Sequence, residues 1–208
     1  MAPEDSRAPF LRISWTAALL KRPNTICRVP QSRVLKRSGE DSLFSDILKT
    51  PRTLRSCISF WQRPPPGQDK INEVSTLLTL GDGLNGHPST MHGGMVATIM
   101  DEGMGVLQSA NLERDHMAAV GRGQALGELS DSPGTYTAYL NIQYLKPIQT
   151  PGVLIVTAKS IKRDGRKEWI SAEIKQRIGV GEDEEGEEIL CATAETLMVE
   201  PKPRKNKL

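Results

Sequence analysis

The stretch His92-Gly93-Gly94-Met95-Val96-Ala97-Thr98-Ile99-Met100-Asp101-Glu102-Gly103-Met104-Gly105-Val106-Leu107 constrains this chain more than any other. It reads as a helix entered through a glycine pair, after a turn at Asn85-Gly86-His87-Pro88. From Met95 to Leu107 nearly every side chain is apolar or small on all faces, which predicts a helix buried all round. The stretch is too short to cross a bilayer, where about 20 apolar residues are needed. Two adjacent carboxylates, Asp101 and Glu102, interrupt it in mid-helix. An ionised carboxylate without partners in a dry interior costs several kcal/mol. An acid at this place is therefore either a hydrogen-bonded structural group or a catalytic one.

The entry to the helix supplies a second feature. The first N–H groups of a helix lack intrahelical partners and lie at the positive end of its dipole. Gly93 and Gly94 carry no side chains to shield them. A carbonyl oxygen placed there meets an oxyanion hole. His92 and Asp101 lie about 13 Å apart along the axis at 1.5 Å per residue, so one helix cannot apply both features to one substrate atom. Two antiparallel helices in a symmetric dimer can, with the glycines of one chain near Asp101 of the other. A homodimer, or a dimer of dimers, is the expected assembly.

The rest of the chain narrows the class. Its 208 residues suit one domain with extensions, and a formal charge of +2 gives no footprint for nucleic acid. Nothing reaches transmembrane length, so no integral membrane segment is expected. Cys27, Cys57 and Cys191 are widely spaced without a CxxC or Cys/His zinc pattern. Reduced thiols in an intracellular compartment, and no metal, are the expectation. Residues 1–40 form a basic extension in which Phe10 to Leu20 offers a short amphipathic segment before Pro23. That extension reads either as a mitochondrial presequence or as a disordered tail, which leaves the cytoplasm and the mitochondrion both open.

Residues 41–200 are expected to form the domain, and residues 201–208 a basic tail. A short capped helix is predicted at Asp41 to Leu48, a strand or helix-to-strand transition over Leu54 to Trp61, and a strand over Val74 to Leu80. Residues 109–134, with four glycines and no sustained period, read as a flexible insertion. In Tyr136 to Tyr144 the apolar-leaning set Tyr136, Ala138, Leu140, Ile142 and Tyr144 alternates with Thr137, Tyr139, Asn141 and Gln143. Val153 to Ile161 and Lys167 to Ile178 are joined at Asp164-Gly165, a hairpin signal. An acidic turn over residues 181–188 leads to a last strand, Ile189 to Val199. One strand, a buried helix and then consecutive antiparallel strands make an α+β chain.

His92-Gly93-Gly94 with Asp101 nine residues beyond His92 and Asn85-Gly86-His87 upstream resembles the hot-dog acyl-CoA thioesterases of the phenylacetate-degradation (PaaI-like) type. The resemblance covers roughly the last 150 residues, to about Val199. It implies a long central helix wrapped by an antiparallel sheet, an active site at a dimer interface, and hydrolysis of an acyl-CoA in lipid metabolism. The coenzyme A belongs to the substrate, and no other cofactor is implied. Asp101 is then the general base or the nucleophile, and Gly93, Gly94 and His92 line the carbonyl site. Thr137 stands at a strand position where similar thioesterases carry a serine or threonine that orients the attacking water with the acid. Read without the resemblance, Thr137 is simply a good strand residue. Asn85 is a candidate for substrate binding, and Lys146, Arg166 and Lys167 for the phosphates of coenzyme A. Glu102 is expected to point elsewhere and make an ion pair. A hot-dog enoyl-CoA hydratase or dehydratase, and an acyl-CoA-binding protein without hydrolysis, are the alternatives.

Overall fold

Alternating apolar residues in the second half of the chain need a partner layer, and the long helix provides it. The computed structural model describes residues 6–125, 134–179 and 186–202. Two short helices, α1 (Ala8–Leu11) and α2 (Ser14–Leu20), precede strand β1 (Thr25–Arg28). After a 3-10 turn at Gln31–Arg33 and a π-helical turn at Leu43–Ile47 come β2 (Cys57–Gln62) and β3 (Glu73–Leu80). A small hairpin of β4 (Asn85–His87) and β5 (Thr90–Met91) leads into helix α3 (Gly93–Gly121). Four longer strands finish the chain: β6 (Tyr136–Tyr144), β7 (Gly152–Asp164), β8 (Lys167–Ile178) and β9 (Glu187–Val199).

Seven of these strands make one antiparallel sheet in the order β1-β2-β3-β7-β8-β9-β6. The period of two sends Leu154, Val156 and Ala158 of β7 and Ile170, Ala172 and Ile174 of β8 into one core with Ile99, Met100, Met104 and Leu107 of α3. Gly103 lets the helix lie close to the sheet, since a Cβ there would stand 2.9 Å from Val156 Cγ2. One long helix packed on an antiparallel sheet is the hot-dog arrangement, in agreement with the α+β reading.

Three expectations are corrected. Helix α3 runs 29 residues, so residues 109–121 are helical and not part of an insertion loop. Buried Asn111 anchors the extra turns: its Oδ1 accepts from Ile71 N at 2.8 Å and its Nδ2 donates to Ile71 O at 2.9 Å. Arg114 adds bonds to the carbonyls of Asp69 and Gln68. Of the expected insertion, residues 126–133 lie outside the described residues, as do most of the acidic turn and of the basic tail.

The helix is also not buried on every side of the single chain. Thr98, Asp101 and Gln108 are half-buried, and Gly93 and Gly94 are exposed. Its small residues matched an interior pattern, yet part of that surface has no neighbour among the described residues. The third correction concerns residues 1–40, whose described part is folded. Phe10 and Leu20, with Trp15 and Leu19, pack on Ile58, Phe60 and Leu77, the outward-facing set of β2 and β3. β1 pairs with β2, and the buried Arg33 guanidinium donates to the carbonyls of Phe44 at 2.8 Å and Leu54 at 2.5 Å. The packed body therefore begins near Ala8 and not at residue 41. The predicted helix at Asp41 to Leu48 is a single π-helical turn.

Candidate active site

Asp101 and Thr137 come from different layers, and a break in strand regularity brings them together. On strict alternation Thr137 faces away from Leu140, Ile142 and Tyr144. The pairing of β6 with β9 slips between Thr137 and Tyr139, leaving Ala138 as the extra residue of a β-bulge. The bulge reverses the parity, so Thr137 shares the helix-facing side with Leu140 and Ile142, which pack against the core. Thr137 Oγ1 donates to Asp101 Oδ1 at 2.7 Å. The pair opens toward the surface, Thr137 being exposed and Asp101 half-buried.

The helix entry is built by close backbone contacts. His92 N donates to Leu84 O at 2.8 Å and Met91 N to Ile148 O at 2.9 Å, clamping the hairpin that precedes α3. A Cβ at Gly86 would stand 2.9 Å from His92 Cα, so only glycine lets the two strands approach this closely. His92 is the N-cap, and its Nδ1 accepts from Gly94 N at 2.9 Å. An accepting Nδ1 places the proton of the neutral ring on Nε2. The Gly94 N–H, expected as an oxyanion donor, is thus occupied within the chain. Met95 N and Val96 N both donate to His92 O. Among the described residues the Gly93 N–H is the donor of this first turn that these bonds leave available. Tyr144 Oη donates to Gly93 O at 3.1 Å and steadies the next peptide of the helix entry. Sequence reasoning placed Tyr144 in the apolar set and gave it no role; its partner is far along the chain, and no local spacing could reveal it.

The other candidates are not gathered at this place. Asn85 Oδ1 accepts a hydrogen bond from Thr150, which ties the small hairpin to the start of β7. Lys146 follows the Tyr144 end of β6, which pairs with Ala192. Arg166 and Lys167 belong to the β7–β8 hairpin, at the far end where Lys167 pairs with Val199. Arg166 Nη1 donates to Glu200 O at 2.6 Å. The three basic residues occupy opposite ends of the sheet and form no single phosphate cluster within one chain.

Glu102 points to the opposite flank of α3, and the expected ion pair is replaced by a hydrogen bond from the Ser32 hydroxyl. Burial pushes its carboxyl up to about 7; the Ser32 bond and the nearby Arg33 charge pull it down, while Asp41 and Asp101 add to the rise. Two carboxylates adjacent in sequence are thus divided by helix geometry, Asp101 toward β6 and Glu102 toward the Ser32 turn.

These features define a hot-dog protein with an acid–hydroxyl pair on the flank of a helix whose entry is exposed. No family model matches the chain. It is similar to verlamelin biosynthesis protein B of Lecanicillium sp, with 25% identity over 182 residues, 81% of this chain and 77% of that one. Among solved structures it is similar to a thioesterase superfamily protein at 24% identity and a TM-score of 0.37, covering 61% of this chain and 51% of that one. This chain thus spans about half the length of that structure. A phenylacetic acid degradation-related protein from Ralstonia eutropha JMP134 matches 61% of this chain and 75% of its own at 20% identity and a TM-score of 0.43. A Bacillus halodurans protein solved with CoA matches 64% of this chain and 70% of its own, at 21% identity and a TM-score of 0.42.

Proposed function

We propose that the chain hydrolyses an acyl-CoA thioester at a site shared by two copies. The observation that carries this reading is the 2.7 Å bond from Thr137 Oγ1 to Asp101 Oδ1 on an open flank of α3. The Thr137 bond occupies Oδ1 and leaves Oδ2 as the base. A water seated between Oδ2 and the Thr137 oxygen lone pairs is oriented by both. Asp101 takes one proton as the water oxygen adds to the thioester carbonyl carbon. The tetrahedral intermediate collapses with cleavage of the C–S bond, and the proton held by Asp101 passes to the departing thiolate. The developing oxyanion is met by the Gly93 N–H and the Nε2–H of His92 from the partner copy, because the two features stand too far apart along one helix. The resemblance at His92-Gly93-Gly94 and Asp101 supports coenzyme A as the carrier of the acyl group.

The test is release of free thiol across a panel of acyl-CoAs. Asp101→Asn is nearly isosteric and should lower kcat by about 10²–10⁴-fold, the usual contribution of a general base. Thr137→Ala should cost about tenfold, and the double variant should fall short of the product of the two effects if both act on one water. Mixing Asp101→Asn subunits with His92→Ala subunits, each nearly inactive alone, should restore part of the turnover. No thiol release from any acyl-CoA, or full activity in Asp101→Asn, would overturn the reading.

A further inference from the structure

A large cavity lies on the other face of the sheet from Asp101, between α2 and strands β2, β3, β7 and β8. Its volume is about 700 Å³, within the range of small-molecule sites. The sheet separates it from the inner core: Val156 points to α3, while Ile155 points to the outer cluster. The proposal drawn from it is independent of the acyl-CoA reading.

The lining mixes three kinds of group. Trp15 and Phe60 give aromatic walls, and the guanidinium of Arg177 stands 5.8 Å from the Trp15 ring centroid. Asn72 and Gln62 add amides at the rim. The charges divide unequally. Each lining carboxylate has a cation: Glu73 is 2.9 Å from Lys159, and Glu188 and Glu173 are 3.2 and 3.6 Å from Lys175. Arg22 and Arg63 also line the cavity, and neither has an ion pair among the described residues. Their backbones run close together, since Arg63 N donates at 2.9 Å to the carbonyl of Asn24, two residues after Arg22. The groove thus combines aromatic and aliphatic walls with amides and with two arginines that have no ion pair among the described residues. It matches a flat heteroaromatic body that stacks on indole and phenyl faces, carrying an anion that two arginines can grip.

We propose that this groove binds a nucleoside phosphate, with the base against Trp15 and Phe60 and the phosphates at Arg22 and Arg63. Titration calorimetry of the full chain with ADP tests it, with adenosine and pyrophosphate as the two halves. ADP should bind saturably, and each half alone at least about tenfold more weakly. Arg22→Glu combined with Arg63→Glu, both on exposed side chains, should weaken ADP binding by about tenfold or more. The same double variant should leave adenosine binding unchanged, and Asp101→Asn should leave ADP binding unchanged. Absence of ADP binding, equal binding by the double variant, or pyrophosphate binding as tightly as ADP would overturn the proposal. Loss of ADP binding in Asp101→Asn would also overturn it, because the ligand would then sit on the inner face.

Discussion

Glu102 and Asp101 show how one residue of offset on a helix changes the environment of an acid. Asp101 keeps an open side and a hydroxyl partner, whereas Glu102 sits under the Ser32 turn with its carboxyl pushed up to about 7 by burial. The sign of the pH effect follows from that rise. Between the ordinary value of 4.5 and about 7 the folded chain holds a proton that the unfolded chain has lost. The stabilisation from this group is therefore complete below 4.5 and disappears as the pH rises through 7. Glu102→Gln keeps a polar group for Ser32 without the charge. Denaturant unfolding at pH 5 and pH 8 should show the variant gaining on the parent at pH 8 and less so at pH 5. The same difference at both pH values would mean that Glu102 is not the group responsible. The presence of an acid in this helix was legible in the sequence, since a carboxylate among apolar residues stands out. Which of the two acids faces the hydroxyl was argued there from family spacing. The Ser32 contact was not legible, because its two residues lie 70 positions apart.

At the level of elements, strands were readable where alternation covered most of their length, as in β7, β8 and β9, each 12 or 13 residues long, even though β7 and β9 each carry one extra residue. Reading failed where a tertiary contact overrode a weak local pattern. Helix α3 continues past Leu107 because Asn111 and Arg114 are held by the backbone of residues 68–71, a partnership that no helical period records. The bulge at Ala138 is the other case, because an unbroken apolar–polar alternation hides an extra residue. It is also the feature that puts Thr137 on the side of Leu140 and Ile142. Deleting Ala138 should restore regular pairing of β6 with β9 and leave Thr137 opposite Met198, still on the helix-facing side. The far-UV spectrum should be retained, and thiol release should stay well above that of Thr137→Ala, which loses about tenfold. A folded deletion variant as impaired as Thr137→Ala would show that facing the helix is not enough and that the bulge itself sets the Thr137–Asp101 distance.

The whole molecule is a sheet whose two faces have different fates. One face carries α3, with the Asp101 flank and the edge strand β6 left open; Tyr136 and Tyr144 on that strand are 66% and 56% exposed. The other face is closed in part by the chain's own amino-terminal helices. The sequence of residues 1–40 shows basic charge and one short apolar segment, which fits a tail as well as a folded cap. What decides between them is the outward-facing set Ile58, Phe60 and Leu77, whose apolar character needs a cover that only the folded chain identifies. A chain starting at Asp41 would lose β1, uncover those three side chains, and strip the Phe44 and Leu54 carbonyls of the Arg33 guanidinium. Each buried carbonyl left without a donor costs about 1–3 kcal/mol, and each large apolar side chain returned to water a similar amount. Against a typical total stability of about 5–15 kcal/mol, the truncated chain should not remain folded and should be recovered largely as aggregate. Phe10→Asp in the full chain is the milder version: it places a charge in a fully buried position and should lower Tm sharply without deleting any backbone. A soluble truncated chain with the parent's Tm, or a Phe10→Asp variant as stable as the parent, would show that the amino-terminal segment is an appendage after all.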